Sequence, residues 1–265
     1  MKRFVKIYTY WLLGILLFTG CDDYLKEDSG DLLIPGKVEE FLPMLYREGF
    51  PRNFNDEVAW LYLMTDDVEM GQLELDPEDE ANDTRDKNSS DAFNVGEGEE
   101  PYKWEREIKS YADNFWERRY GNILACNLVI DALPEMEYVE ADSGNYNFLA
   151  AQAYALRAYN YWCLVNSYAL PWSKENLDKP GVIIRMEPQI NISPRGRSSI
   201  REVYDLINED IEKAEKYINI ATFDGNIHRL SEPAILLLAS RIALFQENWD
   251  EVIRTGKLFL AQNSV

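Results

Sequence analysis

The chain has few of the side chains on which most catalytic and metal chemistry rests. His228 is its one histidine among 265 residues. That argues against imidazole-dependent triads and multi-histidine zinc sites, because a lone histidine is more often structural than a ligand. Cysteine is equally scarce at three residues. Cys126 and Cys163 fall in apolar helical stretches and read as small buried hydrophobes; together they allow at most one disulfide. Positive charge is also short: 27 Lys and Arg face 47 Asp and Glu, a net charge of −20. So acidic a chain repels nucleic acid and anionic lipid, and nucleic-acid binding is set aside. No phosphate loop, Ser-His-Asp set or metal motif is present. With 47 acids, some pair will always resemble a glycosidase couple, so carboxylate pairs carry no information. The expectation is a protein that is not an enzyme and uses no cofactor or metal.

What is present begins at the N-terminus. Lys2, Arg3 and Lys6 precede an apolar run from Trp11 to Phe18, followed by Thr19, Gly20 and Cys21. A basic start, a short apolar core and small residues at the exit make a secretory signal peptide, the core being too short to span a bilayer comfortably. Phe18-Thr19-Gly20-Cys21 resembles the bacterial lipobox, in which cleavage before the cysteine leaves it at the N-terminus with its thiol as the site of lipid attachment. Phe18 departs from that pattern's usual Leu. Residues 1–20 therefore read as a lipoprotein signal peptide and Cys21 as the lipidated residue. Loss of residues 1–20 would leave 24 basic against 47 acidic residues, a net charge of −23. Asp22, Asp23, Glu27 and Asp28 mark residues 21–35 as a solvated, lipidated tether. They also look like the acidic tag behind the lipidated cysteine of surface-exported lipoproteins in Bacteroidetes.

The remainder, residues 36–265, reads as helical. A short helix over residues 36–50 places Val38, Phe41, Leu42 and Leu45 on one face, with Pro43 in its first turns. The polar stretch 76–101 is an exposed excursion; it has acids to offer calcium but lacks the glycine turn and spacing of an EF-hand. From Trp104 to Leu133 the apolar spacing of Ile108, Ala112, Phe115, Ile123, Cys126, Ile130 and Leu133 predicts a helix that Pro134 stops. Ser143-Gly144-Asn145 reads as a turn. The stretch 148–172 organises the rest. Ala150, Ala151, Ala153, Ala155 and Ala158 keep one surface small, while Tyr154, Tyr159, Tyr161, Trp162 and Tyr168 supply bulk. A helix apolar on nearly every face is buried among others, and its one charge, Arg157, needs a carboxylate from another helix. The Pro- and Gly-punctuated stretch 173–194 is a connection with a short extended piece at residues 182–185.

Ser199 with Glu202 makes a capping box, ahead of a stripe of Val203, Ile207, Ile211, Ala214 and Ile218. Asp205, Glu209, Asp210 and Glu212 read as the solvated side of that helix. Ser231 caps another helix with Pro233 in its first turn. Residues 234–245 and 249–260 form an antiparallel pair joined at residues 246–248. Small Ser240 and Ala243, then Trp249-Asp-Glu-Val-Ile, resemble the tetratricopeptide pattern, with Val252 where that pattern wants Ala. The expected architecture is all-α, a tetratricopeptide-like stack of helix pairs with long irregular loops.

Ala151-Gln-Ala-Tyr-Ala-Leu-Arg-Ala-Tyr-Asn-Tyr-Trp162, then Leu164-Val-Asn-Ser-Tyr-Ala-Leu-Pro-Trp172, resembles the RagB/SusD family. Residues 116–133, 197–218 and 228–241 resemble that family's neighbouring helices, in the family's order and behind a lipobox. The resemblance implies a nutrient-capture lipoprotein of the outer membrane, facing the cell exterior. Its ligand would be an oligosaccharide or, in some members, a peptide, and its partner a SusC-like TonB-dependent transporter. Members continue well past the position of Val265, so the C-terminal part of the family's fold is expected to be absent. The rival reading is a tetratricopeptide-like interaction scaffold with no glycan site. Exposed loop aromatics discriminate, because rings stack on the apolar faces of sugars. Trp60, Tyr62, Tyr102 and Trp104, beside the polar excursion, are the candidate ligand-binding residues.

Overall fold

The computed structural model describes residues 37–51, 64, 102–106, 114–136, 138, 140–190, 193–223 and 225–262. Cys21, the tether and the excursion lie outside the described residues, and residues 36–265 form one compact unit. Among the described residues there are six α-helices and no strand, as the apolar spacing predicts. They are α1 (Val38–Glu48), α2 (Phe115–Ala132), α3 (Ser143–Tyr168), α4 (Ile200–Ile218), α5 (Glu232–Phe245) and α6 (Trp249–Gln262). None is long and apolar enough to cross a membrane.

Helix α3 is the hub, packed most extensively on α4 and then on α2. All five of its small alanines are fully buried, as are Leu149, Tyr161 and Leu164. Side chains this small let neighbouring helix backbones approach, and the dispersion contacts so gained are individually tiny but collectively large. On one side of α3, Val38, Phe41 and Leu45 of α1 pack with Cys126, Val129 and Leu133 against Leu149, Ala153 and Leu156. On another, Tyr161, Leu164 and Val165 meet Val203, Tyr204 and Ile207 of α4 and Ile242 of α5. The apolar stripe read from α4, residues 203, 207, 211, 214 and 218, is buried along its whole length. Helices α5 and α6 form the terminal pair.

Several boundaries differ from the sequence reading, each for a local reason. Helix α3 starts at Ser143, so Ser143-Gly144-Asn145 is its first turn rather than a connection, entered from a 3₁₀ turn at Glu140–Asp142. Gly144 is required there: the carbonyl of Gly144 accepts from the Thr222 amide at 3.1 Å, and a Cβ would collide with the Thr222 side chain. The same helix ends at Tyr168, with Ala169 extended, because a residue near a following proline is driven from the helical region. Helix α2 begins at Phe115 and not at Trp104, which sits in a turn at φ 55°. Pro43 occupies the second turn of α1, and its side chain faces solvent. Residues 182–185 form no strand; one isolated bridge pairs Pro180 with Ser199.

The largest correction is Asp210, read as part of the solvated face of α4 but fully buried. It is the carboxylate that Arg157 requires. Arg157 Nε donates to Oδ2 and Nη2 to Oδ1, both at 2.8 Å, and Nη1 donates to Asn127 Oδ1 at 2.9 Å. Burial raises the Asp210 carboxyl above the usual range, and Asp210 in turn raises the Arg157 guanidinium. The bidentate geometry gives each buried group a charge-assisted partner. Elsewhere the capping box closes as predicted, Ser199 N donating to Glu202 Oε2 at 2.7 Å and Glu202 N to Ser199 Oγ at 3.2 Å.

Two outcomes follow. Arg157→Leu or Asp210→Leu alone should cost about 3–5 kcal/mol in urea denaturation, because each strands a buried charge, whereas the double substitution should recover most of that loss. Hydrogen bonds from Ser199 hold the Glu202 carboxyl below its ordinary range. Its contribution is therefore complete above the unfolded-state pKa and lost as pH falls through the lower folded one. Glu202→Gln should flatten that acid limb in a series of thermal melts.

Candidate functional site

The site begins with the long connection between α3 and α4. It leaves α3 after Tyr168 and returns to α4 at Ser199, and its outer part is closed by Gly181 N to Ser198 O at 2.7 Å and Ser198 N to Val182 O at 2.9 Å. Gly181 permits this closure, since a Cβ would lie 3.0 Å from the Ser198 carbonyl and 3.1 Å from the Ile200 nitrogen. Farther out, Arg185 Nη2 donates to the Ser193 carbonyl at 3.0 Å, and Arg195 pairs with Glu187. These cross-links brace the connection against itself.

Three buried or half-buried side chains then bind it to the helices. Tyr161 of α3 donates its hydroxyl to the Arg185 carbonyl and accepts from the Arg185 amide, both at 2.8 Å. Asn127 of α2 donates to the carbonyls of Arg185 at 2.9 Å and Glu187 at 3.2 Å. Tyr120 of α2 donates to the Ile183 carbonyl at 2.6 Å. Burial pushes the Tyr120 phenol up to about 12 against that hydrogen bond and the charges of Arg185 and Arg197. It therefore remains a donor across the physiological range.

Between α2 and this connection lies an open groove of about 460 Å³, within the size range of small-ligand sites. Trp116 and Tyr120 give it an apolar floor, their ring centroids 4.9 Å apart; Trp116 is held edge-on by Tyr168 at 4.9 Å. Asn127, Arg185, Glu187 and Gln189 supply polar groups along it. Flat rings bordered by planar amide, carboxylate and guanidinium groups fit a ligand with apolar ring faces and a rim of hydroxyls. A second groove, between α4, α5 and α6, of about 510 Å³, is lined mainly by charged and amide groups such as Glu212, Glu215, Lys216 and Arg254 and has no aromatic floor; a third is chemically plainer. It lies between α3, α5 and Pro51, is about 270 Å³ in volume, and is lined mainly by Leu156, Leu230, Leu237 and Leu238. No group of three or more potential metal-ligating side chains occurs among the described residues.

Of the aromatics chosen from sequence, Tyr102 and Trp104 are among the described residues. Trp60 and Tyr62, like the lipidation residue Cys21, lie outside the described residues. Tyr102 is half-buried and Trp104 is 66% exposed; neither lines the grooves described above. Sequence reasoning passed over Trp116 and Tyr120. Their spacing of four residues on α2 puts both on one face, a signal that was available but is shared by core residues. Arg185 and Glu187 gave no signal, since their placement depends on contacts from residues 58 to 60 positions away in sequence.

Comparison with known proteins matches a SusD-like family model, described as starch-binding and associating with the outer membrane, over residues 50–244. SusD-like protein P38 of Formosa agariphila is 31% identical over 151 residues, which are 56% of this chain and 26% of that protein. A SusD-like carbohydrate-binding protein of Bacteroides vulgatus superposes with a TM-score of 0.61 at 20% identity, over 87% of this chain and 46% of its own. A laminarin-binding SusD-like protein gives a TM-score of 0.57 at 19% identity, over 82% and 41%. The chain thus spans about a quarter of the curated relative and less than half of these solved structures.

Proposed function

We propose, from the premise that this chain belongs to the SusD-like family, that it captures glycans at the outer membrane for uptake. The observation that carries the reading is the groove of Trp116, Tyr120, Arg185 and Glu187, where an aromatic floor meets planar hydrogen-bonding groups. Rings bury the apolar face of a sugar, and charged or amide groups take its hydroxyls. The chemistry is capture rather than turnover: Asn127, Arg185 and Glu187 are fixed by structural bonds, and among the described groove residues none is paired as nucleophile and base. The net charge of −20 disfavours long polyanionic ligands and suits a neutral oligosaccharide.

In this reading Cys21 carries the lipid, residues 21–35 tether the helical unit outside the cell, and a SusC-like TonB-dependent transporter receives the ligand. Each buried methylene of the acyl chains contributes roughly 0.8 kcal/mol to anchoring, so several chains hold the protein stably. Exposed Trp104 is retained as a further contact for a ligand longer than the groove. The scaffold reading is favoured by one observation: α6 exposes Trp249, Ile253 and Leu260, which a partner protein could cover.

Titration with neutral oligosaccharides such as laminarin fragments decides between the two. Trp116→Ala should weaken binding about tenfold or more, while Trp104→Ala should leave the melting temperature unchanged and lower affinity only for longer fragments. A wild-type chain that binds no glycan, yet recruits a protein through α6, would replace capture with scaffolding. Metabolic labelling with a tagged fatty acid should mark the wild type, and Cys21→Ala should lose both label and membrane association.

A further inference from the structure

Helix α2 carries a glycine for which its own packing gives no reason. Gly121 stands in the first half of an 18-residue helix, where glycine is destabilising relative to alanine because it surrenders more backbone freedom on folding. Gly144 and Gly181 are needed because a neighbour leaves no room for a Cβ. At Gly121 nothing outside the helix backbone lies within 4 Å of where a Cβ would stand, and the residue is exposed. The remaining use of a bare backbone is close approach by a ligand.

The position of Gly121 indicates what approaches it. Gly121 and Leu124 line the groove of Trp116 and Tyr120, and both also line a further groove of about 540 Å³ between α1 and α2. Spacings of four, three and four put Glu117, Gly121, Leu124 and Leu128 along one edge of α2, each exposed or half-buried. That edge is the ridge between the two grooves, and the glycine is its lowest point. The further groove repeats the chemistry of the first. Phe50 and Leu128, the latter 40% exposed, give it apolar surface, while Arg118 and the Arg47–Glu48 pair supply planar charged groups.

Resting on the capture reading above, we propose that the two grooves form one site, crossed at Gly121 by an oligosaccharide too long for either alone. One stretch of the sugar chain lies on Trp116 and Tyr120, the next passes over the bare backbone of Gly121, and the following stretch meets Phe50 and Leu128. Gly121 determines specificity for chain length, since a side chain there would lift the ligand off both floors. The second groove acts on a ligand already held by the first, so its contacts carry no second loss of translational freedom and affinity rises with length.

The test is calorimetric titration of the full chain with short and long laminarin fragments. The wild type should bind the long fragments about tenfold or more tighter than the short. Gly121→Leu and Leu128→Gln should each bring the long fragments down toward the affinity of the short. Leu128 lies outside the first groove, so Leu128→Gln should leave the short fragments unchanged. Gly121→Ala should raise the melting temperature by about 1–4 °C while weakening only the long fragments, a split that a glycine serving the fold would not give. A melting temperature lowered by Gly121→Ala assigns the glycine to packing and overturns its role. Wild-type affinity that ignores fragment length, or a length dependence that survives Gly121→Leu, overturns the joined site; loss of short-fragment binding in Trp116→Ala then leaves glycan capture standing. A wild type that binds fragments of neither length overturns both.

Discussion

A charge withdrawn from water is tolerated only where another charge meets it with good geometry, and the Arg157–Asp210 pair imposes that condition on this fold. Both side chains are buried, 2% and 0% exposed, and the carboxylate grips the guanidinium through two bonds. Helices α3 and α4 therefore have one register in which neither charge is stranded. Apolar packing alone is more forgiving, since a small-residue helix such as α3 can slide against its neighbours at modest cost. The third guanidinium bond, to Asn127, extends the same requirement to α2. A second polar cluster repeats the logic nearby. Asn160 accepts from Arg119 and Asn122 while donating to the Leu156 carbonyl, and Arg119 lies 4.7 Å from the Phe115 ring.

Asn127 gives this core its link to the groove. Its oxygen faces Arg157 and its nitrogen faces the carbonyls of Arg185 and Glu187. The ion pair that fixes helix register is thus one side chain removed from the backbone that presents the groove's polar groups. Rigid positioning of this kind suits a site whose work is recognition, where each group ordered in advance spares entropy on binding.

The helices were legible because their signals are local. The capping box at Ser199 and Glu202, the cap at Ser231, and the stripe from Val203 to Ile218 each need only residues within one turn or a few. The need of Arg157 for a carboxylate was legible too, because a charge in an apolar helix has few alternatives. Which carboxylate met it was not. Asp210 sits beside Glu209 and Glu212 in a run that looks uniformly solvated, and half a turn decides which acid points inward. The start of α3 was missed for a similar reason. Ser143 and Gly144 carry turn propensity, but contact with Thr222, far along the chain, holds them helical.

The candidate site was least legible, and the cause is physical. A search for exposed loop rings favours residues such as Trp104, whose ring is in water, whereas a groove is made of rings only half in water. Trp116 and Tyr120 stand on a helix, pack on the core through Tyr168 and Ile183, and still turn a face outward. Their dual duty follows from the fold: a connection that must be clamped to α2 and α3 leaves a channel along its own edge, floored by whatever residues do the clamping. On the capture reading, Tyr120 and Asn127 serve both the proposed binding surface and the structural joint, so substitutions that loosen the joint should also blur the site. The exposed apolar residues of α6, Trp249, Ile253 and Leu260, line no part of that groove. A sugar needs fixed donors and acceptors at its rim as much as it needs a ring beneath it.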